Sequence, residues 1–365
     1  ITPKLLFAIK FTYIFKKNNS EINLNFVVIF FYNLFKIIHM VTFIEIIANI
    51  IIIIFMMIII GLLALTISGI AHIFGANFKS FFRKSLWFTF LAPILFCYGF
   101  FIERNQCQVK NIEIESDEIP ASFNDYKIVQ ISDLHLHSFK NRAKTLQKFV
   151  NEINELNADI VVFTGDLVSY GPWELDGLDT ILSKIKAKDG VYSVLGNHDY
   201  SAYSNFPDSV QWKFVEELKD RQFKMGWNLL LDENVNIIRG NDTISLIGVE
   251  NISTHRAFLS FGSLQKAMKD SSGDYKILLS HDPTHWELEV KDTPEIDLML
   301  SGHTHAMQFS LFGWSPSSFI FNEVAGLFKH NEQYLYVNIG LGETLMKTRI
   351  GTKPEITVIQ LGVRN

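Results

Sequence analysis

The 365-residue chain carries 33 Lys and Arg against 38 Asp and Glu, a net charge of −5, and it is 48% hydrophobic. No basic block resembles the electrostatic footprint of a nucleic-acid binder, so nucleic acid is not an expected partner. Its two cysteines, Cys97 and Cys107, exclude a disulfide framework and any cysteine-built zinc site, so a metal centre would have to use His, Asp, Asn or Glu.

Those averages conceal two unlike halves. As far as Ile102 the chain is dominated by Ile, Phe and Leu, and its only acids are Glu21 and Glu45; from Glu103 onward charge is interspersed as in a soluble domain. Residues 1–39 open on Ile rather than Met and are rich in Ile, Phe, Lys and Asn. They read as an upstream mistranslation ahead of a start at Met40, with one or two short membrane segments as the rival. Residues 40–104 form the membrane region. "IIANIIIIIFMMIIIGLLALTISGI" lies within residues 42–70, a run of the length that spans a bilayer core. "LWFTFLAPILFCYGFFI" (residues 86–102) is uncharged and predicts a second span, with Trp87 and Tyr98 suited to the interface. Lys79, Arg83 and Lys84 lie in the expected loop between the two. Positive loops stay cytoplasmic, which places the following domain outside the cytoplasm.

A polar linker is expected over residues 105–125, followed by a catalytic domain over residues 126–363. "YKIVQIS" (Tyr126–Ser132) predicts a strand, and Leu146, Phe149, Val150, Ile153 and Leu156 recur at helical spacing. Further strands are expected at Asp159–Phe163, Val191–Leu195, Thr243–Val249, Tyr275–Ser280, Ile296–Ser301, Tyr334–Ile339 and Glu355–Leu361. Alternating β and α signals with continuous apolar strands predict a layered α/β domain whose sheets are covered by helices.

Five of those strands end in residues that bind metals: Asp133 and His135 in "SDLHLH", Asp166 in "TGDLVSYG", Asn197 and His198 in "LGNHDY", His281 in "LLSHDPTH", and His303 and His305 in "LSGHTHAMQF". Carboxyl ends of strands are where α/β domains place their sites. In extended chain, residues two apart share a side at roughly 7 Å, so His303 and His305 could serve one metal or one each of two. Singly, Asp133 or Asp166 would be read as a helix cap, Asn197 as a turn residue and His281 as a loop histidine. Jointly, five strand ends finishing this way argue for a site.

The set Asp133-x-His135, Gly165-Asp166, Gly196-Asn197-His198-Asp199, His281 and Gly302-His303-x-His305 resembles the five signature motifs of the calcineurin-like metallophosphoesterases. With the membrane segments and the ending "NIGLGETLMKTRIGTKPEI", it looks most like the membrane-anchored bacterial YkuE-type branch. The resemblance implies two packed β-sheets flanked by helices and a dinuclear centre. One metal would take Asp133, His135, Asp166 and His305; the other Asp166, Asn197, His281 and His303, with Asp166 bridging. Mixed His, Asp and Asn ligands suit Mn, Fe or Zn rather than Ca or Mg. Such a centre generates a bridging hydroxide near neutral pH and clamps the phosphoryl oxygens for in-line attack. His198 is placed to protonate the leaving oxygen, with charge stabilisation as its alternative role.

Two departures matter. Ser169 and Leu195 stand where the protein Ser/Thr phosphatases of this superfamily carry an Asp and an Arg, which weighs against protein phosphatase activity. His137 and His285 read as outer-sphere or surface histidines, and Arg349 as an exposed loop arginine. The expected function is a membrane-anchored phosphoesterase acting on a phosphorylated small molecule or a lipid-linked envelope substrate, with the lipid bilayer as partner through the N-terminal helices. Its alternatives are a non-catalytic metal-binding scaffold on the same fold and, less favoured, a channel or transporter.

Overall fold

The computed structural model describes residues 24–256 and 258–364, and of the side chains before Ile46 only that of Phe43. The expectation for residues 1–39 therefore falls outside the described residues up to Asn23. The chain divides into two compact units, residues 1–52 and 53–365.

Helix α1 (Leu24–Ile73) is unbroken because no Pro or Gly interrupts it before Gly61, and from Ile46 onward most of its Ile and Leu side chains are exposed. Its segment Ile46–Ile73 is 28 residues long and holds an 18-residue stretch of mean hydropathy 3.3, which suits a bilayer core. A short turn leads to α2 (Phe78–Ser85), capped by the Asn77 side chain, which accepts the Ser80 N–H at 3.0 Å. A 3₁₀ turn and α3 (Leu91–Phe101) follow, giving a second 28-residue helical stretch, Phe78–Asn105, whose most apolar 18 residues have a mean hydropathy of 1.8. Lys79, Arg83 and Lys84 thus lie on helix α2 and not in a loop. Their alternation with Phe78, Phe81 and Phe82 makes that turn of chain amphipathic, and helix formation satisfies its backbone polar groups.

The soluble half is a two-sheet sandwich. The first sheet has the order β1-β12-β2-β3-β4-β5, built from Gln108–Ser116, Glu355–Val363, Lys127–Ile131, Ile160–Phe163, Val191–Ser193 and Trp227–Leu229. The second has the order β10-β11-β9-β8-β7-β6, built from Gly326–His330, Gln333–Val337, Leu298–Ser301, Tyr275–Leu279, Asp242–Gly248 and Glu233–Arg239. Strands β2 to β5 run parallel, as do β7, β8, β9 and β11. Residues 105–125, expected as a linker, instead carry β1, which pairs parallel with β12. Its alternation, Ile112 and Ile114 against Glu113 and Glu115, is that of an edge strand wetted on one face.

Ile128, Ile160, Val162 and Val194 from the first sheet meet Leu246, Ile277, Leu279 and Leu300 from the second in one buried layer. Outside the first sheet packs α4 (Ala143–Glu155), burying Leu146, Phe149, Val150 and Ile153 as its periodicity predicts. α5 (Asp179–Leu182) and α6 (Asp208–Lys224) cover the same face, while α7 (Leu264–Ala267) and α8 (Thr284–Leu288) cover the second sheet. Among the polar side chains that cross between the sheets, one lies beside the strand ends that carry the site. Gln130 on β2 donates to the Ser301 carbonyl on β9 at 2.8 Å. Buried and bonded, it ties together the two strand ends that carry Asp133 and His303.

Candidate metal centre

The parallel strands β2, β3, β4, β8 and β9 all point their carboxyl ends at one place. Asp133 and His135 follow β2, Asp166 follows β3, Asn197 and His198 follow β4, His281 follows β8, and His303 and His305 follow β9. All eight predicted site residues are brought together there. Asp133, His135 and His305 form one nest of donor atoms within 4.8 Å of one another, and Asp166, His281 and His303 form another. Asp166 stands between the nests: its Oδ2 lies 3.4 Å from His135 Nε2 and 3.2 Å from His281 Nε2. Across the first nest His305 Nε2 is 3.3 Å from Asp133 Oδ1, and in the second His281 Nε2 is 3.1 Å from His303 Nδ1.

The local backbone is bent to achieve this. Asp133, His135, Asp166, His303 and His305 all have positive φ, between 40° and 73°. Side chains at such angles cost on the order of 1–3 kcal/mol each and persist where surrounding structure enforces them. Two glycines make room. A Cβ on Gly302 would sit 2.0 Å from Ser132 Oγ and 2.2 Å from Asp133 Oδ2, and one on Gly196 would sit 2.2 Å from Asp166 Oδ1.

Three buried atoms aimed into the cluster find no hydrogen-bond partner within the protein: His135 Nε2, His305 Nε2 and Asn197 Oδ1. Buried polar atoms are rarely left so, and each of these is a metal-donor atom. Outer contacts orient them. Asn197 Nδ2 donates to the Tyr203 hydroxyl at 2.9 Å, which turns Oδ1 inward. His281 Nδ1 lies 2.8 Å from the Thr164 carbonyl, so it carries the proton and leaves Nε2 facing Asp166. His135 Nδ1 meets the Ser169 hydroxyl at 3.2 Å, and His303 Nε2 lies 3.7 Å from Asp282.

Charge follows burial. Burial holds the His135 and His305 imidazoles well below their ordinary value and takes His303 down to about 4, so these rings are neutral. Burial also raises the Asp133 carboxyl, to about 7. At Asp166 burial pushes upward, but the surrounding His281, His198 and His135 hold the carboxyl well below the usual range. For His281 burial is outweighed by the Asp166 carboxylate, which lifts it to about 10. A buried, ionised carboxylate beside three neutral imidazoles, with His281 held protonated only by that carboxylate, is a donor set for borderline divalent cations, and the residues present fit two of them.

His198 stands beside the cluster, half-buried. Its backbone N–H donates to Asp166 Oδ1 at 2.9 Å, and its Nδ1 lies 2.9 Å from the Ser169 carbonyl. Ser169 therefore supplies, from its backbone, the orienting acceptor that its side-chain type does not. The Tyr203 ring stacks on His198 with centroids 4.2 Å apart.

Three residues have more to do than sequence reasoning assigned. Asp199 accepts the backbone N–H groups of Asp166, Leu167, Val168 and Gly196, locking the two loops together; its place inside "GNHD" is the one signal that pointed to it. Tyr203 had no local signal. Arg349, expected on an exposed loop, is fully buried. It donates to the carbonyls of Gly342, Thr352, Ile339 and Gly340, with Nη2 3.3 Å from His305 Nδ1. Five guanidinium donors can close a loop of orphan carbonyls, which a loop position in sequence does not reveal. His285 is also buried, between the Ser280 hydroxyl and Glu289, away from the cluster.

Residues 126–307 match the calcineurin-like phosphoesterase family. The chain is 31% identical over 288 residues to a zebrafish (Danio rerio) "Transmembrane protein with metallophosphoesterase domain", covering 77% of this chain and 63% of that protein. It thus spans about three fifths of that relative's length. It is 29% identical to the metallophosphoesterase YkuE of Bacillus subtilis, over 73% of this chain and 90% of that one. It is 27% identical to the UDP-2,3-diacylglucosamine pyrophosphatase LpxG of Chlamydia trachomatis, over 76% of this chain and 96% of that one. Two mixed sheets, a strand-end cluster of two carboxylates and four ligand-type histidines, the family match over residues 126–307 and the likeness to these relatives make this chain a membrane-associated member of the calcineurin-like metallophosphoesterases.

Proposed function

We propose that the chain is a membrane-anchored dimetal phosphoesterase, and that Asp133, His135, Asp166, Asn197, His281, His303 and His305 hold the metals. The observation that carries this reading is the position of Asp166, ionised and within 3.4 Å of histidines from both nests. A pair of divalent cations there supplies charge neutralisation for a phosphoryl group and a water acidified for attack. The protein's own residues do the rest. Asp166 holds the two nests at one spacing, and Asn197 contributes an uncharged oxygen that limits negative charge where an anionic substrate must approach. His198 keeps its Nδ1 proton on the Ser169 carbonyl, so Nε2 carries the mobile proton for the leaving oxygen.

The bond is a phosphomonoester, phosphodiester or pyrophosphate on an envelope or lipid-linked molecule. The two spans and the likeness to a chlamydial pyrophosphatase of a diacylated sugar nucleotide support an amphiphilic substrate. Lys79, Arg83 and Lys84 at the connection between the spans favour a cytoplasmic connection and an extracytoplasmic catalytic domain. Mn, Fe and Zn all suit the donors. A scaffold without catalysis is disfavoured by the complete ligand-type set.

The test uses the full chain in phosphatidylcholine vesicles, assayed on p-nitrophenyl phosphate, bis-p-nitrophenyl phosphate and a lipid-linked pyrophosphate. At least one should be hydrolysed, EDTA should stop it, and Mn or Zn should restore it. Metal-loaded protein that hydrolyses none of them contradicts the proposal.

A further inference from the structure

Immediately after His305 the chain leaves the cluster and forms a platform of apolar side chains that stand exposed among the described residues. Leu311 and Trp314 pair through both backbone hydrogen bonds, at 2.8 and 3.1 Å, so Phe312 and Gly313 form a two-residue turn. Phe312 has φ 51° and Gly313 φ 84°, and Phe312 is 100% exposed at the tip. A bulky residue at positive φ, wholly in water, is a poor choice for a turn that needs only Asn or Gly. Phe319 is 82% exposed beside it, with its ring edge-on to Trp314 at 5.9 Å. The platform is built, not loose. Ser315 donates to the Ala306 carbonyl at 2.6 Å and bonds the buried Ser317 hydroxyl, and Pro316 opens a 3₁₀ turn beneath Phe319.

Its position links two regions already described. Phe309 bridges Ile350, with Ser310 N–H donating to the Ile350 carbonyl and Ile350 N–H to that of Gln308. The segment it bridges to is seated on the end of the second span: the Thr348 hydroxyl donates to the Phe96 carbonyl at 3.1 Å, and Gly99 lies flush on Thr348 and Arg349. The exposed tip therefore hangs from a strand pair that rests on a bilayer-crossing helix. At its other end, Phe321 meets the His303 ring edge to face, with centroids 5.6 Å apart. Between Ala306 and Ala325 the only charged residue is Glu323.

We propose that the Leu311–Ile320 platform dips into the interface of the same bilayer that the helices cross, and so holds the mouth of the metal cluster at headgroup level. Exposed Trp and Phe on a rigid turn, continuous with a membrane-anchored helix, are the side chains that partition to the interface. The near absence of charge makes the contact apolar, so it does not depend on anionic lipid or low salt. The insertion stands independently of the phosphoesterase reading. Its consequence, that the cluster works on phosphoesters presented in the plane of the membrane, rests on that reading.

The experiment places a spin label at Phe312→Cys, and separately at Lys186→Cys on the opposite end of the sandwich, in the full chain reconstituted into phosphatidylcholine vesicles. Cys97 and Cys107 are replaced in both. Relaxation by dissolved oxygen against an aqueous nickel chelate reads depth. The label at 312 should be shielded from the chelate and that at 186 should not, with the same result in 1 M NaCl. Equal chelate access at both positions overturns the proposal. So does shielding that rises with protein density in the vesicles, because a second copy would then be the cover. Phe312→Ser combined with Phe319→Ser adds a functional readout. Turnover of a vesicle-embedded phosphoester should fall about tenfold while that of a water-soluble ester stays within twofold. An equal fall on both substrates would overturn the consequence for substrate choice, and the label result would still decide the insertion.

Discussion

The two sheets contribute unlike halves of the cluster. The first delivers Asp133, His135, Asp166, Asn197 and His198, and so every proposed oxygen donor together with the proposed proton donor; the second delivers only imidazoles, from His281, His303 and His305. Neither sheet closes a two-cation site without the other. The second sheet's rings reach Asp133 and Asp166 across the sandwich, at 3.3 and 3.2 Å. The lesson is that the packing between sheets, with Gln130 and Gly302 at its seam, is itself part of the proposed metal geometry. A sub-ångström error in that packing would be an error in ligand distance.

The largest effect should come from the residue both halves share. Asp166→Asn removes the one charge that faces both nests, and turnover should fall by well over the 10–100-fold typical of outer-sphere partners. Elemental analysis of the purified protein should find both metals depleted, whereas losing a ligand of one nest only should spare the other metal. Next is His198→Ala, which leaves the proposed ligands in place. It should slow esters with poor leaving groups by about 10²–10⁴-fold and p-nitrophenyl esters less, in steady-state kinetics on each. Equal loss on both would assign His198 to charge stabilisation instead. Metal removal should cost stability where the sheets meet. With free metal at about 100 times its dissociation constant, bound metal adds about 2.7 kcal/mol per site. EDTA should therefore lower the unfolding temperature of the catalytic domain, followed by near-ultraviolet circular dichroism. The smallest effect belongs to Ser169→Ala, which strips the hydroxyl from His135 but keeps the backbone carbonyl that orients His198. Metal affinity should drop about 10-fold or somewhat more, while the leaving-group dependence stays unchanged.

Much of this arrangement was legible before any coordinates because parallel strands put their functional residues at one end, so motifs far apart in sequence had to converge. The apolar runs were equally legible as spans. What failed had a common cause: those residues take their character from a neighbour distant in the chain. β1 read as a linker because an edge strand wetted on one face alternates Ile with Glu, and its partner β12 lies more than 200 residues away. Arg349 read as exposed because only the folded loop collects four carbonyls around it. Ser169 read only as a departure from the protein phosphatases, since a side-chain letter does not announce what its carbonyl will do. The basic residues between the spans read as a loop until Asn77 capped them into a helix.

The central claim is that two metals sit in nests joined by one carboxylate, each completed across the sandwich. Metal stoichiometry of the full chain tests it most directly, measured by elemental analysis against protein concentration for the native sequence and for His305→Ala. The account predicts two equivalents in the native chain, about one in His305→Ala, and loss of turnover in the variant. A His305→Ala protein that kept two metals and full activity would contradict it.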